Sequence, residues 1–284
     1  MKFFPQLVDA ADNLMRIYMR LQSRISPLRE GETFFGAKIT CDIRDFIQRR
    51  IYFFSNYEPN LTRFVIDTVK PGTTFLDLGA NIGYFSLLAS RVVGTNGKVI
   101  SIEASPSTHR TLKANLDRNG CSNVDARNVA VTETPTRVEI RSVEAGNIGA
   151  NAITTASSGH GVQVDGLPLM TILGSDAGQV SFIKIDIEGS EGPVLEDLLE
   201  NIDQFPPDLV IVAEVSPRNA SFVRRFRDAG FRVRGLPNNY RIGYLMVRSY
   251  LARTGEDRYV YAAPADDYAD NYTDYIFDRR AARA

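Results

Sequence analysis

From Leu7 to Ile25 the apolar residues Leu7, Leu14, Ile17, Tyr18 and Leu21 fall on one face at three- and four-residue steps, which predicts an amphipathic helix. Phe34 to Phe54 reads as short strands or a mixed β and helical segment, and Pro59 to Val69 as a helix stopped by Pro71-Gly72. The pattern then becomes regular. Short apolar runs at Thr74–Leu78 and Lys98–Ile102 alternate with helical periodicity over Ile82–Val92 and Ser107–Leu116. This βαβα order predicts a parallel sheet covered by helices on both faces, because a parallel strand can be reached only by a crossover, usually a helix.

The series continues with Val124–Val131 and then leaves for a Gly-, Ser-, Thr- and Asn-rich detour over Arg137–Leu173, read as an insertion at one edge. It resumes as strand Val180–Ile187, helix Val194–Ile202, strand Leu209–Val215 and helix Ser221–Ala229, giving five parallel strands. Phe231–Val233, Tyr240–Val247 and Tyr272–Phe277 are expected as further strands closing the sheet, with a polar loop over Thr254–Asp270. The expected organisation is an N-terminal helical and β extension over 1–56 and an α/β domain over 57–284 carrying the insertion around 137–173.

Composition narrows the function. Hydrophobic residues at 44% and charged residues at 24% are ordinary globular usage, which removes fibrous and disordered readings. Thirty-three Lys and Arg against 34 Asp and Glu leave a net charge of −1, so no global field gathers nucleic acid, and no nucleic-acid partner is expected. Cys41, Cys121, His109 and His160 lack the spacing of a zinc site or disulfide framework; no metal is expected, and the setting expected is cytoplasmic. No apolar run reaches the length of a membrane span, and Pro5, Asp9 and Asp12 interrupt any signal-like stretch. The helix before Ile25 packs on its own domain in the simplest reading; the alternative is a dimer contact or an interfacial helix.

The chemistry concentrates at Asp77-Leu78-Gly79-Ala80-Asn81-Ile82-Gly83, where the first strand of the series turns into its helix. In an open α/β sheet, ligands bind beyond the carboxyl ends of the strands, and a turn without side chains lets backbone N–H groups approach them. Glu103, at the end of the next strand, stands where a carboxylate accepts hydrogen bonds from a ribose diol. A dinucleotide turn would need glycines where Asn81 and Tyr84 stand, so a pyrophosphate is poorly served. A second cluster, Lys184-Ile185-Asp186-Ile187-Glu188-Gly189-Ser190-Glu191, carries a lysine and an aspartate on one strand face and further carboxylates in the turn. Glu191 can serve simply as an anion at a helix start.

Taken in order, Tyr57-Glu58-Pro59, the glycine turn, Glu103-Ala104-Ser105-Pro106, Asn128-Val129-Ala130-Val131, Ile183 to Glu191 and Ala213-Glu214-Val215 resemble the FkbM family of S-adenosylmethionine-dependent methyltransferases. The resemblance implies a Rossmann-like class I fold with S-adenosyl-L-methionine as cofactor. It implies that Gly79, Ala80, Asn81 and Gly83 line the methionine part, that Glu103 with Ala104 holds the ribose, and that Asn128 and Val129 border the adenine. Asp77 either orders the turn or reaches the cofactor's ammonium through water, and Tyr57, Glu58 and Asp186 are further expected cofactor neighbours. Phe53, Phe54 and Tyr57 are the aromatic candidates for the pocket wall.

Methyl transfer from a sulfonium is an in-line displacement, so alignment and water exclusion dominate, and a hydroxyl acceptor must also lose a proton. Asp186, Glu188, Lys184 and His160 are the candidate catalytic groups, with a structural ion-pair network as the competing role for the first three and a plain loop position for His160. His109 is expected at the surface. The expected acceptor is a hydroxyl on a small molecule or saccharide, and a homo-oligomer through the N-terminal helix remains open. Two other functions stand beside this one: a nicotinamide-dependent oxidoreductase, disfavoured by the glycine spacing, and a non-catalytic nucleoside-binding or assembly protein.

Overall fold

A computed structural model of the chain describes residues 3–144, 147–154, 161–187, 190–237, 241–256 and 274–280, with the backbone alone at 3–12, 141–144 and 147–154. Helix α1 (Phe3–Ile25) precedes a two-stranded antiparallel ribbon of β1 (Leu28–Glu32) and β2 (Lys38–Asp42), followed by α2 (Phe46–Phe54) and α3 (Pro59–Thr68). The side chain of Asp45 caps α2 by accepting from the Gln48 N–H, and Pro59 opens α3, where its missing N–H is no loss.

The alternating series follows as β3 (Thr74–Leu78), α4 (Tyr84–Val93), β4 (Lys98–Ile102), α5 (Pro106–Arg118) and β5 (Val124–Arg127). The expected insertion forms its own four-stranded sheet from β6 (Ala130–Val131), β7 (Thr136–Glu144), β8 (Asn147–Thr154) and β9 (Val162–Leu167), in the order β6-β9-β7-β8, and ends in α6 (Leu169–Leu173). Then come β10 (Val180–Ile185), α7 (Glu191–Glu200), β11 (Val210–Glu214), α8 (Ser221–Asp228), β12 (Arg232–Leu236), α9 (Ile242–Thr254) and β13 (Asp274–Asp278).

The main sheet has the order β12-β13-β11-β10-β3-β4-β5. Strands β11, β10, β3, β4 and β5 are parallel as expected, and β13 runs antiparallel between β11 and β12. It is an α/β sheet of Rossmann type, mostly parallel, with helices on both faces and a helical extension ahead of it. Alternation along each strand builds two cores. Leu76, Leu78, Ile183 and Ile185 face α7 and α8, while Phe75 and Phe182 face α3 and α4, stacked with ring centroids 5.0 Å apart.

Three expectations are corrected. Tyr240–Val247 was expected as a strand; the described part is the start of α9, because Ile242 and Leu245 are buried at a helical step and Arg248 one turn on bonds Asn60 Oδ1 of α3 at 2.7 Å. The β-rich composition there is overridden by tertiary packing. Val124–Val131 divides at Asn128: its side-chain amide donates to the carbonyls of Glu103 and Ala104, both at 2.8 Å, and the chain leaves the main sheet to pair β6 with β9. His109 is likewise not simply solvated, since its Nε2 lies 3.3 Å from the carbonyl oxygen of Ala126 on β5.

Candidate active site

The carboxyl end of β3 folds back over β4. The N–H groups of Gly79 and Ala80 both donate to the Ile102 carbonyl at 3.0 Å, and the Gly83 N–H donates to that of Ala80 at 2.9 Å. Gly79 has φ +77°, and a Cβ there would stand 1.8 Å from the carbonyl oxygen of Asp186, so the two strand ends approach as closely as backbone allows. Asn81 also takes a left-handed conformation, φ 48°, which asparagine tolerates better than most residues. Left-handed Gly83 then starts α4.

Glu103 locks this turn. Its Oε2 accepts from the Asn81 N–H at 2.9 Å and its Oε1 from the Ser105 N–H at 2.8 Å, while Ser105 caps α5. Burial pushes its pKa from 4.5 up to about 7 against the pull of those two N–H donors. Each carboxylate oxygen keeps a lone pair for a further donor such as a ribose hydroxyl.

Beneath the turn lies a polar rung inside the sheet. Lys184, Asp77 and Ser101 are register neighbours on β10, β3 and β4, all on the face covered by α4. Ser86 of α4 donates to Asp77 Oδ2 at 2.6 Å and receives the Ser101 hydroxyl at 2.8 Å. Lys184 Nζ stands 3.2 Å from Asp186 Oδ2 and 3.7 Å from Asp77 Oδ1. Burial pushes the Asp77 pKa upward, opposed chiefly by Lys184 and Ser86. Asp77 is fully enclosed, and its Oδ1 has no hydrogen-bond donor in reach.

Two adjoining clefts open above the rung and share Lys184 and Asp186. One is walled by the glycine turn and by Ile51, Tyr57 and Phe85. The other, of about 100 Å³, gathers Glu58, Asp186, Glu214 and Asp274 around Lys184. Asp274, the first residue of β13 and the register partner of Glu214, has its pKa pushed well up by burial, then by Glu58, Glu214 and Asp186.

The expected site residues Tyr57, Glu58, Gly79, Ala80, Asn81, Lys184 and Asp186 therefore line these two clefts, with Glu103 bonded directly to their turn. Asn128 holds the β4 end, Ala104 packs against the insertion's core, and Val129 is buried in the main-sheet core with Ile100 and Ile102. Phe53 and Phe54 face away, toward α1 and α9. Glu188 and His160 lie outside the described residues. Sequence reasoning missed Asp274, Ser86 and Ser101; the one signal for Asp274 was its position at the start of a strand expected to close the sheet.

The arrangement suits a cationic nucleoside cofactor. An apolar and aromatic wall fits an aliphatic chain, Asp186 offers a carboxylate at the cleft where a sulfonium or ammonium would lie, and Glu103 offers lone pairs for a diol. Residues 77–233 match the methyltransferase FkbM domain. Among characterised proteins, the arsenite methyltransferase of Halobacterium salinarum is 32% identical over 83 residues, 29% of this chain and 21% of that protein. The protein-L-isoaspartate O-methyltransferase of Methanococcoides burtonii is 34% identical over 68 residues, 23% of this chain and 34% of that protein. These matches span about a fifth and a third of the relatives' own length. Among solved structures, precorrin-6y C5,15-methyltransferase from Geobacter metallireducens aligns at TM-score 0.41 and 15% identity, over 62% of this chain and 73% of that one. With the domain match covering the glycine turn, Glu103 and the Lys184–Asp186 strand end, the chain belongs to the FkbM methyltransferase family and uses S-adenosylmethionine as its cofactor.

Proposed function

We propose that the protein methylates a hydroxyl oxygen on a small molecule or saccharide, with the glycine-turn cleft holding the cofactor and the neighbouring acidic cleft holding the acceptor. The observation that carries this reading is the acidic cleft itself: carboxylates from the residue that caps α3, from β11 and β13 and from the position just after β10 surround a volume that opens beside the turn and shares Lys184 and Asp186 with it. Ionised carboxylates accept hydrogen bonds, and Asp274, whose pKa is pushed well up, can also donate one, so the cleft suits a partner with several hydroxyls, as a polyol is.

When bound, the cofactor supplies an electrophilic methyl group on a positively charged sulfur. The chain's part is to hold the acceptor oxygen in line with it, exclude water and take the acceptor's proton. Asp186 is proposed as the proton acceptor, aimed by Lys184 at 3.2 Å. Tyr57 and Phe85 would seal the methyl side, Glu103 and Ala104 would hold the ribose, and Asn128 and Val129 would border the base. Glu188 and His160 stay as proposed second contributors from the turn and the insertion.

The test is incubation with methyl-labelled cofactor and a panel of sugars, phenols and aliphatic alcohols, with the methylated atom located by nuclear magnetic resonance. Arsenite and an isoaspartyl peptide, the acceptors in the names of the two curated relatives, belong in the panel. An O-methyl ether supports the reading; transfer only to nitrogen, carbon or arsenic refutes it. With an acceptor in hand, Asp186→Asn should lower kcat by about 10²-fold or more.

We further propose pairing of two copies through α1. Leu14, Tyr18, Leu21 and Ile25 are exposed at alternating four- and three-residue steps, the d and a positions of a heptad, and exposed Met246, Val247 and Tyr250 of the adjoining α9 add to the apolar surface. Sedimentation of the intact protein against Leu14→Lys/Leu21→Lys tests it; a monomer in both refutes it. Among the described residues no helix is long and apolar enough to cross a membrane.

A further inference from the structure

The turn between α2 and α3 sends one residue into each cleft. Tyr57 walls the glycine-turn cleft, and Glu58 beside it walls the acidic one. The backbone is strained at both ends of this turn: Ser55 has φ 55° and Glu58 has φ 42°, left-handed values that residues with a Cβ rarely adopt. Pro59 adds to the strain, because a proline pushes the residue before it toward extended backbone. Ser55, Asn56, Tyr57 and Glu58 are all buried. A turn of this kind persists only where its surroundings over-determine it, so what holds it is part of how both clefts are built.

Two sets of contacts do the holding. On one side the Phe34 N–H donates to the Ser55 carbonyl at 2.8 Å, the Thr62 hydroxyl to the Tyr57 carbonyl at 2.5 Å and the Tyr84 hydroxyl to Asn56 Oδ1 at 3.1 Å. The other side belongs to α9. Its Ser249 hydroxyl donates to the Phe54 carbonyl, and Arg253 Nη2 donates to the Ser55 hydroxyl oxygen at 2.7 Å. Arg248 Nη1 donates to Asn60 Oδ1 at 2.7 Å and its Nη2 reaches the Pro59 carbonyl at 3.5 Å, while Asn60 Nδ2 donates to the Pro237 carbonyl at 2.5 Å. Helix α9 therefore grips the chain just before the turn, at its first residue and just after it. Arg248 is itself buried, so its planar fork is fixed by packing and fixes the two oxygens it meets. No residue of α9 is among the described residues that line either cleft, so what this helix does for them passes through the turn.

We propose that Arg248 and Arg253 are positioning residues for methyl transfer: by holding Asn60, the Pro59 carbonyl and Ser55 they keep the 55–58 turn left-handed, with Tyr57 against the cofactor and Glu58 facing the acceptor. Released from α9, the turn relaxes toward extended backbone and both side chains leave their clefts together. This inference rests on the reading that the glycine-turn cleft holds the cofactor. It does not depend on which acceptor is methylated.

The experiment is titration calorimetry of the full chain with S-adenosylhomocysteine, for wild type, Arg248→Met, Arg253→Gln, Tyr57→Ala and each arginine variant combined with Tyr57→Ala. Misplacing Tyr57 should weaken binding about tenfold in Arg248→Met and about threefold in Arg253→Gln. In the Tyr57→Ala background both losses should vanish, since no ring is left to misplace. A role in folding alone would give the same loss, or none, with and without the ring. Arg248→Lys keeps a donor toward Asn60 and should recover most of the affinity. Where Arg248→Met fails to fold by circular dichroism, Arg253→Gln, at an exposed position, decides the matter. Gly79→Ala separates two kinds of failure. If it too leaves affinity unchanged, the placement of the cofactor falls and the proposal falls with it. If it weakens binding while the arginine variants bind as wild type does, or lose affinity additively with Tyr57→Ala, the proposal alone is overturned.

Discussion

Lys184 and Asp77 occupy the same rung of adjacent parallel strands, with Nζ 3.7 Å from Oδ1 and neither side chain open to solvent. The lysine thereby serves two carboxylates, one structural below it and one at the cleft above it. Replacing Lys184 by Met should leave Asp77 as an uncompensated buried charge and cost about 3–5 kcal/mol in urea unfolding. The sign with pH follows: Asp77, already pushed upward by burial, would rise further, so the deficit shrinks as acid protonates it and is largest at neutral pH. A deficit that does not change with pH would contradict this assignment.

Ser86→Ala removes the hydroxyl that donates to Asp77 Oδ2 at 2.6 Å. The expected loss is about 1.5–3 kcal/mol of unfolding free energy, read as a lower urea midpoint at unchanged slope. Ser101→Ala should cost less, because Ser101 reaches the carboxylate through Ser86.

Glu103 makes folding and ligand binding respond to pH in opposite senses. Its folded pKa of about 7 exceeds the unfolded 4.5, so the stability it contributes is complete below about 4.5 and is lost as pH rises through about 7. At about 1.4 kcal/mol per tenfold, the loss is about 3 kcal/mol. A ribose diol donates to the ionised form, so affinity for S-adenosylhomocysteine should strengthen over the same interval. Calorimetry between about pH 5 and pH 8 should show that rise in wild type and a flat profile in Glu103→Gln.

Gly79→Ala places a methyl group 1.8 Å from the Asp186 carbonyl oxygen at φ +77°. Both strand ends must shift, and affinity for S-adenosylhomocysteine should fall by about tenfold or more. Gly230→Ala is the control: φ is +88° but a Cβ meets nothing within 4 Å, so it should cost about 1 kcal/mol of stability and no affinity.

The portion of this molecule readable in its sequence is the portion built from contiguous chain. Thr74–Leu78 and Lys98–Ile102 are buried on both faces and read as apolar runs, and the turn between β3 and α4 carries its own glycines. Cleft residues that depend on distant segments meeting were hidden. Asp274 gains its setting from Glu58, Asp186 and Glu214, which arrive on three other elements, and nothing near position 274 announces them. Helix α9 was hidden for a similar reason: its Tyr, Ile, Leu and Val suit a strand, and the choice is made by Arg248 and Ser249 bonding to α3 and to the end of α2.

The placement of β13 between β11 and β12 gives the two clefts different histories. Every element that walls the glycine-turn cleft is synthesised before β11, whereas the acidic cleft lacks a wall until β13 has slid into the gap between two strands made earlier. A chain that has emerged only as far as β11 thus already carries every wall of the glycine-turn cleft, while the acidic cleft waits on the insertion of β13.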